Sequence, residues 1–523
     1  MIIASFVRRG KMKSNQVNKK LIKILQDNKD SDIGRNMDFR YVKIVDGFRH
    51  LTPISGYDDI APLIELTMRV GERGIYTSHP LVGYSLTSGT TGAPRYIPCT
   101  QEHIEDYKNE FLSIVGKERT LLLFESLPRN KKFTDGAYLD SISGHMLYSL
   151  KKKMKRLNIV NPEPIIFINE YTDSEYLRAL FALGDESITQ IFAPFSWCVV
   201  NLFDCIERKF DMLLNDIKNG TIDSSVNISE ELKKKLAPYI KPDPKRAEKL
   251  KSLYHEDFFN GAWVEKVWPE MTRVVAGGGG SFSIYSRRLK RPLGKIAHNY
   301  GLYASSEAVI GKAVTDNSDI YTLADTPVFL EFLPICDDKC EALLPDELEV
   351  GKRYNVLVTN NAGLYRYQLG DVIEVVEMKD GKPGFRLAYR SAQKIVIGEA
   401  EITEDKVFDA ICVLEQETGI EVADYTFGTE DDKCLILLEL DPDCDNKKKC
   451  ADISPDYLAG ILEHELSRCG NEVKCAVKFS EPQTQLLYRD VRRWREKIVI
   501  DQIKPVRVLD NPVKEKFFKK MVE

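Results

Sequence analysis

One stretch constrains this chain more than any other: Leu86-Thr87-Ser88-Gly89-Thr90-Thr91-Gly92-Ala93-Pro94-Arg95. Ahead of it, Leu81 to Leu86 carries aliphatic and aromatic residues suited to a short buried strand. Behind it, Thr100 offers a capping hydroxyl and Glu102, Glu105 and Asp106 follow as early acids, the pattern of a helix start. The spacing therefore predicts a loop that joins a strand to a helix. Its two glycines let the backbone come close to a ligand, and Thr87, Ser88, Thr90 and Thr91 supply compact donors. Arg95 adds a fixed positive charge. These are the parts needed to wrap a polyphosphate, although a polar surface turn carries the same residues. It is not a Walker loop, because G-x-x-x-x-G-K-[ST] is absent.

A length of 523 residues calls for more than one packing unit, and two are expected. With 43% hydrophobic and 29% charged residues the composition is that of a folded protein and excludes wholesale disorder. A net charge of −5 gives no reason to expect nucleic acid. No apolar run approaches the ~20 residues that cross a bilayer, so no membrane insertion is expected. The opening Met1 to Phe6 is too short for a secretory core and its basic residues, Arg8 and Arg9, follow it, so the expected location is cytoplasmic. Of the eleven cysteines, Cys336 and Cys340 form one isolated pair with no zinc-ribbon counterpart. The thiols read as structural or incidental, with no metal held by cysteine.

Along the chain, residues 16–28 show a helical apolar period, and Tyr57 opens a second helix after a turn at Ser55-Gly56. Leu121 to Phe124 and Ile165 to Ile168 read as short buried strands. Phe195 to Ile217 carries a helical stripe, and residues 228–255 form a highly charged, solvated helical excursion. The run Gly277-Gly278-Gly279-Gly280 follows a strand at Thr272 to Val275, and either a close approach or a plain flexible loop explains it. Next come Tyr303-Ala304-Ser305-Ser306-Glu307, a small hydroxylated turn ending in a carboxylate, and Leu364-Tyr365-Arg366-Tyr367 with Gly370-Asp371 between two strands. An Asp on such a rim can hold a vicinal diol, though Gly-Asp is also a commonplace turn. Past Arg390 the elements shorten and charges become denser, which predicts a smaller α+β domain. The expected architecture is mixed α/β: a large domain over 1–389, with sheets flanked by helices, and a small domain over 390–523.

Taken together and in this order, the loop Thr87 to Gly92, the turn Tyr303 to Glu307 and the segment Leu364 to Asp371 resemble the adenylate-forming superfamily of acyl-CoA ligases, peptide-synthetase adenylation domains and luciferases. Within it the sequence is most similar to the auxin-responsive acyl-acid amido synthetases, the Gretchen Hagen family of plants and their bacterial relatives. Trp268-Pro269 and Gln502-Ile503-Lys504-Pro505-Val506-Arg507 support the likeness, which covers about residues 40–510. The resemblance implies that MgATP activates a carboxylic acid to an acyl-adenylate, and that an amine, usually of an amino acid, then expels AMP. It also implies roles. Ser88, Gly89, Thr90, Thr91 and Gly92 would hold the β- and γ-phosphates; Tyr303, Ala304, Ser305 and Ser306 would bracket adenine and the α-phosphate. Glu307 would lie near Mg2+, Asp371 would accept the ribose hydroxyls, and Arg390 would lie near the nucleotide. Lys504 would reach the carboxylate and α-phosphate during adenylation, brought there by rotation of a mobile C-terminal domain.

Three departures stand out. The first loop is closer to the general superfamily form than to the plant Ser-Ser-Gly-Thr-Ser pattern. Residues 399–403 lack the lysine that precedes a threonine in the plant enzymes, and 391–393 lack the hinge aspartate of the acyl-CoA ligases. An acyl-CoA ligase, with a thiol acceptor, and a non-catalytic nucleotide-binding relative are the alternatives. Hydrolase chemistry is disfavoured, since neither G-x-S-x-G nor H-E-x-x-H occurs.

Overall fold

The computed structural model describes residues 17–522, apart from 72–73, 88–94, 127–128, 130–132, 135, 169–172, 336–339, 442–452, 469 and 497–502. The chain divides into two compact units. The first takes residues up to Gly116, Ser126–Leu157 and Gly301–Arg386. The second takes Lys117–Glu125, Asn158–Tyr300 and everything from Leu387 onward.

In the first unit, the opening helix over 17–27 buries Leu21, Ile24 and Leu25 against Phe39, Phe48, Phe329 and Tyr365, the face its apolar period predicts. The helix Tyr57–Val70 begins at Gly56, whose N–H donates to the Asp59 carboxylate at 2.7 Å. Strand Leu81–Thr87 pairs antiparallel with Arg95–Thr100. The glycine loop therefore joins two strands, where the sequence suggested a strand and a helix. Tyr96 and Ile97 favour extended backbone and Pro98 bars a helix, so the helix starts only at Gln101. There Thr100 caps it as predicted, its hydroxyl accepting from the His103 N–H at 3.2 Å.

The main sheet has seven strands, in the order Phe329–Pro334, Arg353–Thr359, Tyr367–Lys379, Lys382–Arg390, Tyr321–Leu323, Val309–Ala313 and Leu302–Ala304. Tyr365 and Arg366 brace it from within. The Tyr365 hydroxyl donates to the Tyr76 carbonyl at 2.9 Å. Arg366 is buried, donates to Glu331 at 3.1 Å and to the Thr52 carbonyl at 3.0 Å, and adopts a φ of 48°. The other oxygen of Glu331 accepts from Arg49 at 2.7 Å.

The second unit is built on a parallel sheet, Thr120–Leu122, Gln190–Phe195, Arg273–Gly277 and Ala297–Asn299, with helices Ser174–Gly184, Ser196–Arg208 and Ser283–Leu293 packed around it. Two expectations are corrected here. Ile165 to Ile168 is no strand: Pro162, Glu163 and Pro164 start the short helix Glu163–Ile166, and a brief apolar run has no period to tell the two apart. The stripe from Phe195 to Ile217 is two helices, Ser196–Arg208 and Phe210–Asn219, separated at Lys209. The charged excursion is helical, with Leu232, Leu236 and Leu250 buried. Cys340, one of the pair the sequence singled out, is disulfide-bonded, which is the structural of the two readings its thiol allowed.

Residues after Arg390 form the pair Lys394–Ile397 and Ala400–Thr403, the helix Glu404–Thr418 and a sheet of Val422–Glu430, Lys433–Leu440 and Cys475–Ser480. They share one hydrophobic core with the 158–300 segment, where Val407 and Phe427 pack in the same cluster as Trp197 and Leu289. Buried charge reinforces the join. Arg507, fully buried, donates to Asp424 at 2.5 Å, to the Tyr425 carbonyl at 2.7 Å and to the Ser281 carbonyl at 2.8 Å. Its Nε lies 3.3 Å from Glu404, whose other oxygen accepts from Ser281 at 2.9 Å. Arg489 binds Glu175, and Arg287 binds Glu415.

Two outcomes follow from these pairs. Arg366→Met strands Glu331 with half its countercharge, and the expected loss in chemical denaturation is about 3–5 kcal/mol; a loss below 1 kcal/mol would mean the pair is dispensable. Glu404 faces Arg507, Asp405, Ser281 and Tyr425, and burial pushes its carboxyl from the ordinary 4.5 up to about 7. Between those values the folded protein keeps a proton that the unfolded chain has released. The stabilisation from this group is therefore complete below pH 4.5 and is lost as pH rises through about 7. Across that window wild type should lose stability relative to Glu404→Gln. A difference that stays flat contradicts the assignment.

Candidate functional site

The described residues place the stem of the glycine loop, while Ser88, Gly89, Thr90, Thr91 and Gly92 themselves lie outside them. Thr87 and Arg95 are the last facing pair of the hairpin. The Arg95 guanidinium lies over the Tyr57 ring, 5.3 Å from its centroid, and the Tyr57 hydroxyl accepts from the Tyr96 N–H at 2.8 Å. The first turn of helix Tyr57–Val70 thus fixes where the loop leaves the sheet.

Tyr303 and Ala304 lie on the short strand Leu302–Ala304, and Ser305, Ser306 and Glu307 form the turn that leads into Val309–Ala313. The Tyr303 hydroxyl donates to Asp371 Oδ2 at 2.9 Å, so the second and third sequence motifs meet. Both residues are buried, and Phe385 packs edge-on against the Tyr303 ring with centroids 6.0 Å apart. Asp371 is not on a rim between two strands, as its turn-like context suggested. It lies within the long strand Tyr367–Lys379. Pairing with Arg353–Thr359 slips there: Leu357 faces Gln368 and Asn355 faces Val372, leaving a bulge that contains Gly370 and Asp371. Gly370 takes a φ of 84°, open to glycine and strained for other residues, and the bulge re-aims the carboxylate that follows it.

Glu307 is 6% exposed. Among the described residues no three His, Cys, Asp or Glu side chains gather as a metal cluster. A single carboxylate nevertheless suits a magnesium ion that arrives with a nucleotide, because such an ion keeps several waters and takes one or two carboxylates plus phosphate oxygens.

In the second unit, the glycine run is approached closely, but by the protein itself. A Cβ on Gly278 would stand 2.1 Å from Ser286 Oγ and 2.8 Å from the Tyr300 ring. Arg390 ends the strand Lys382–Arg390, and its carbonyl accepts from the Gln393 N–H at 2.7 Å. Lys504 has its ammonium over the Phe195 ring, 5.6 Å from the centroid, and Phe195 stacks on Phe282 at 4.2 Å. Phe195 faces Gly277 across the parallel sheet, and each is the last residue of its strand. Lys504 therefore stands at the carboxyl edge of that sheet, the edge at which open α/β sheets bind ligands. Arg507 holds it there through the Ser281 carbonyl, one residue past the glycines. Neither Phe195 nor Ser281 carries a motif of its own, and both meet these partners across long stretches of chain, so the sequence did not mark them as neighbours of Lys504 and Arg507.

The sequence matches the GH3 family N-terminal domain over residues 5–297 and the GH3 family central domain over residues 321–390. Jasmonoyl–L-amino acid synthetase GH3.5 of Oryza sativa subsp. japonica is 25% identical over 452 residues, 78% of this chain and 76% of that protein. Indole-3-acetic acid-amido synthetase GH3.10 of Arabidopsis thaliana is 26% identical over 421 residues, 72% of this chain and 71% of that protein. Among solved structures, AtGH3.15 acyl acid amido synthetase in complex with 2,4-DB superposes with a TM-score of 0.84 at 19% identity, covering 98% of this chain and 94% of that one. A 2-hydroxyisobutyryl-CoA ligase in the postadenylation state gives a TM-score of 0.59 at 11% identity over 97% and 92% of the chains, which extends the likeness of fold to a thioester-forming enzyme. With the N-terminal family match alone covering more than half of its length, the chain belongs to the GH3 family.

Proposed function

We propose that the protein is an ATP-dependent acyl-acid amido synthetase, which adenylates a carboxylic acid and passes the acyl group to an amine, most simply that of an amino acid. The observation that carries this reading is the hydrogen bond from Tyr303 to Asp371, which brings two separate family motifs to one buried place. In the first step a carboxylate oxygen attacks the α-phosphorus of ATP and pyrophosphate leaves. In the second the amine nitrogen attacks the acyl carbon, the C–O bond to AMP breaks, and the nitrogen gives up a proton. Both steps need positioned reactants and neutralised charge more than a covalent group from the protein.

The roles divide accordingly. Ser88, Gly89, Thr90, Thr91 and Gly92 hold the departing β- and γ-phosphates. Tyr303, Ala304, Ser305 and Ser306 bracket adenine and the α-phosphate. Asp371 takes the ribose hydroxyls, its carboxylate oriented by Tyr303. Glu307 would hold Mg2+, which when bound screens phosphate charge. Arg390 lies by the nucleotide, and Lys504 draws the acid carboxylate and α-phosphate together. If residues 390–523 rotate between the half-reactions, as in the wider superfamily, the Arg507, Arg489 and Arg287 pairs all have to break. That makes the rotation a slow, gating step. We place the reaction in the cytoplasm, where ATP is at hand.

The test is pyrophosphate release from MgATP across a panel of carboxylic acids, with pooled amino acids, with coenzyme A, or with neither. Release that rises with amino acids supports the amide ligase; release that responds only to coenzyme A makes the protein a thioester ligase. Asp371→Ala should weaken ATP binding by about tenfold to a hundredfold, the worth of hydrogen bonds to a charged group; unchanged affinity removes the ribose role. Lys504→Ala should lower adenylation on the order of a hundredfold or more while leaving amide formation from a supplied acyl-adenylate intact. Equal loss in both halves would contradict its assignment.

A further inference from the structure

The turn that carries Ser305, Ser306 and Glu307 is held by three side chains, one on each successive carbonyl. The Tyr107 hydroxyl donates to the Ser305 carbonyl at 2.5 Å, His103 Nε2 lies 3.0 Å from the Ser306 carbonyl, and Asn360 Nδ2 donates to the Glu307 carbonyl at 2.8 Å. All three side chains are buried. His103 and Tyr107 stand one turn apart on the same face of helix Gln101–Val115, with ring centroids 5.3 Å apart. Asn360 follows the strand Arg353–Thr359 directly. Its Oδ1 accepts from the Ala362 and Leu364 N–H groups at 2.9 and 3.3 Å, which turns the amide so that its donor end meets Glu307.

The donors keep their protons. Burial lowers the His103 imidazole to about 4, so it is neutral at working pH and the facing carbonyl assigns the proton to Nε2. Burial, and then the charge of Glu307, raises the Tyr107 phenol well above its ordinary 10. Each bond fixes one peptide plane, and three consecutive planes fix where the side chains of the turn begin. The helix that supplies two of the donors is entered directly from strand Arg95–Thr100, which comes from the glycine loop.

We propose that Tyr107, His103 and Asn360 are positioning residues for the nucleotide: they tie the Ser305–Glu307 turn to helix Gln101–Val115, which follows the strand leaving the Ser88–Gly92 loop, and to the end of strand Arg353–Thr359, so that Glu307 is placed before metal and phosphate arrive. This rests on the adenylating reading above. A polar turn normally exposes its carbonyls to water; three buried donors in their place rigidify a segment whose Ser305 N–H is otherwise tied only across the turn, to the Ala308 carbonyl at 3.0 Å, among the backbone bonds described.

Tyr107→Phe and Asn360→Asp each delete one donor at constant shape, and the aspartate keeps the acceptor that the neighbouring N–H groups need. Amide hydrogen exchange over residues 303–309 of the nucleotide-free protein is measured beside the melting temperature and the Mg2+ dependence of acid-dependent pyrophosphate exchange. Both variants should exchange faster in that segment; in Tyr107→Phe the rest of the chain and the melting temperature hold, while Asn360→Asp, which buries a carboxylate, melts lower. The Mg2+ concentration for half-maximal rate should rise about tenfold in Asn360→Asp, whose lost bond is to Glu307 itself, and less in Tyr107→Phe. Unchanged exchange in the turn overturns the proposal, as does a rate loss that follows a fall in melting temperature with no change in Mg2+ dependence. Should Asn360→Asp fail to fold, Tyr107→Phe decides alone. If wild type adenylates no acid, the functional reading falls, and the exchange measurement still decides whether these side chains hold the turn.

Discussion

Glu331 is the pivot of the first unit. Its two oxygens take Arg49 and Arg366, and Arg366 reaches on to the Thr52 carbonyl, so one buried carboxylate ties three segments distant in sequence. Once buried, none of these charges tolerates the loss of its partners. From Arg366 the chain runs directly into strand Tyr367–Lys379, on which Asp371 meets Tyr303. The motif around Tyr365 and Arg366 is thus a brace placed close to a candidate binding residue.

The second unit follows the same rule with opposite charge at its centre. Arg507 is enclosed by Asp424, Glu404, two backbone carbonyls and the ring of Tyr425, whose centroid is 4.4 Å away. Because one of those carbonyls belongs to Ser281, the C-terminal strands and helices are joined to the segment around the glycine run by packing and by charge together. Lys504, three residues before Arg507 in the chain, takes its place from that anchor.

Local signals were legible where a single residue type has one physical use. The Thr100 cap, the helix beginning at Tyr57 and the strand at Leu81 all follow from caps and alternation. The three motifs were legible as a set, and the family they resemble is the one that residues 5–297 and 321–390 match. Elsewhere tertiary context decided. Ile165 to Ile168 is apolar in every position and reads equally as strand or helix. Asp371 looks like a turn residue because the bulge that carries it depends on a partner strand. His103 and Tyr107 are ordinary helix residues until the turn at Ser305 is brought against them, and no spacing along the chain announces that contact.

If this GH3 family member is the acid–amine ligase proposed, it activates a carboxylic acid through ATP. Acid-dependent exchange of labelled pyrophosphate into ATP, with no amine and no thiol present, isolates that half-reaction from every question about the acceptor. Wild type should show exchange with at least one class of acid and none without acid. ATP binding that stays intact while no acid supports exchange would contradict it and leave a nucleotide-binding protein in place of an enzyme.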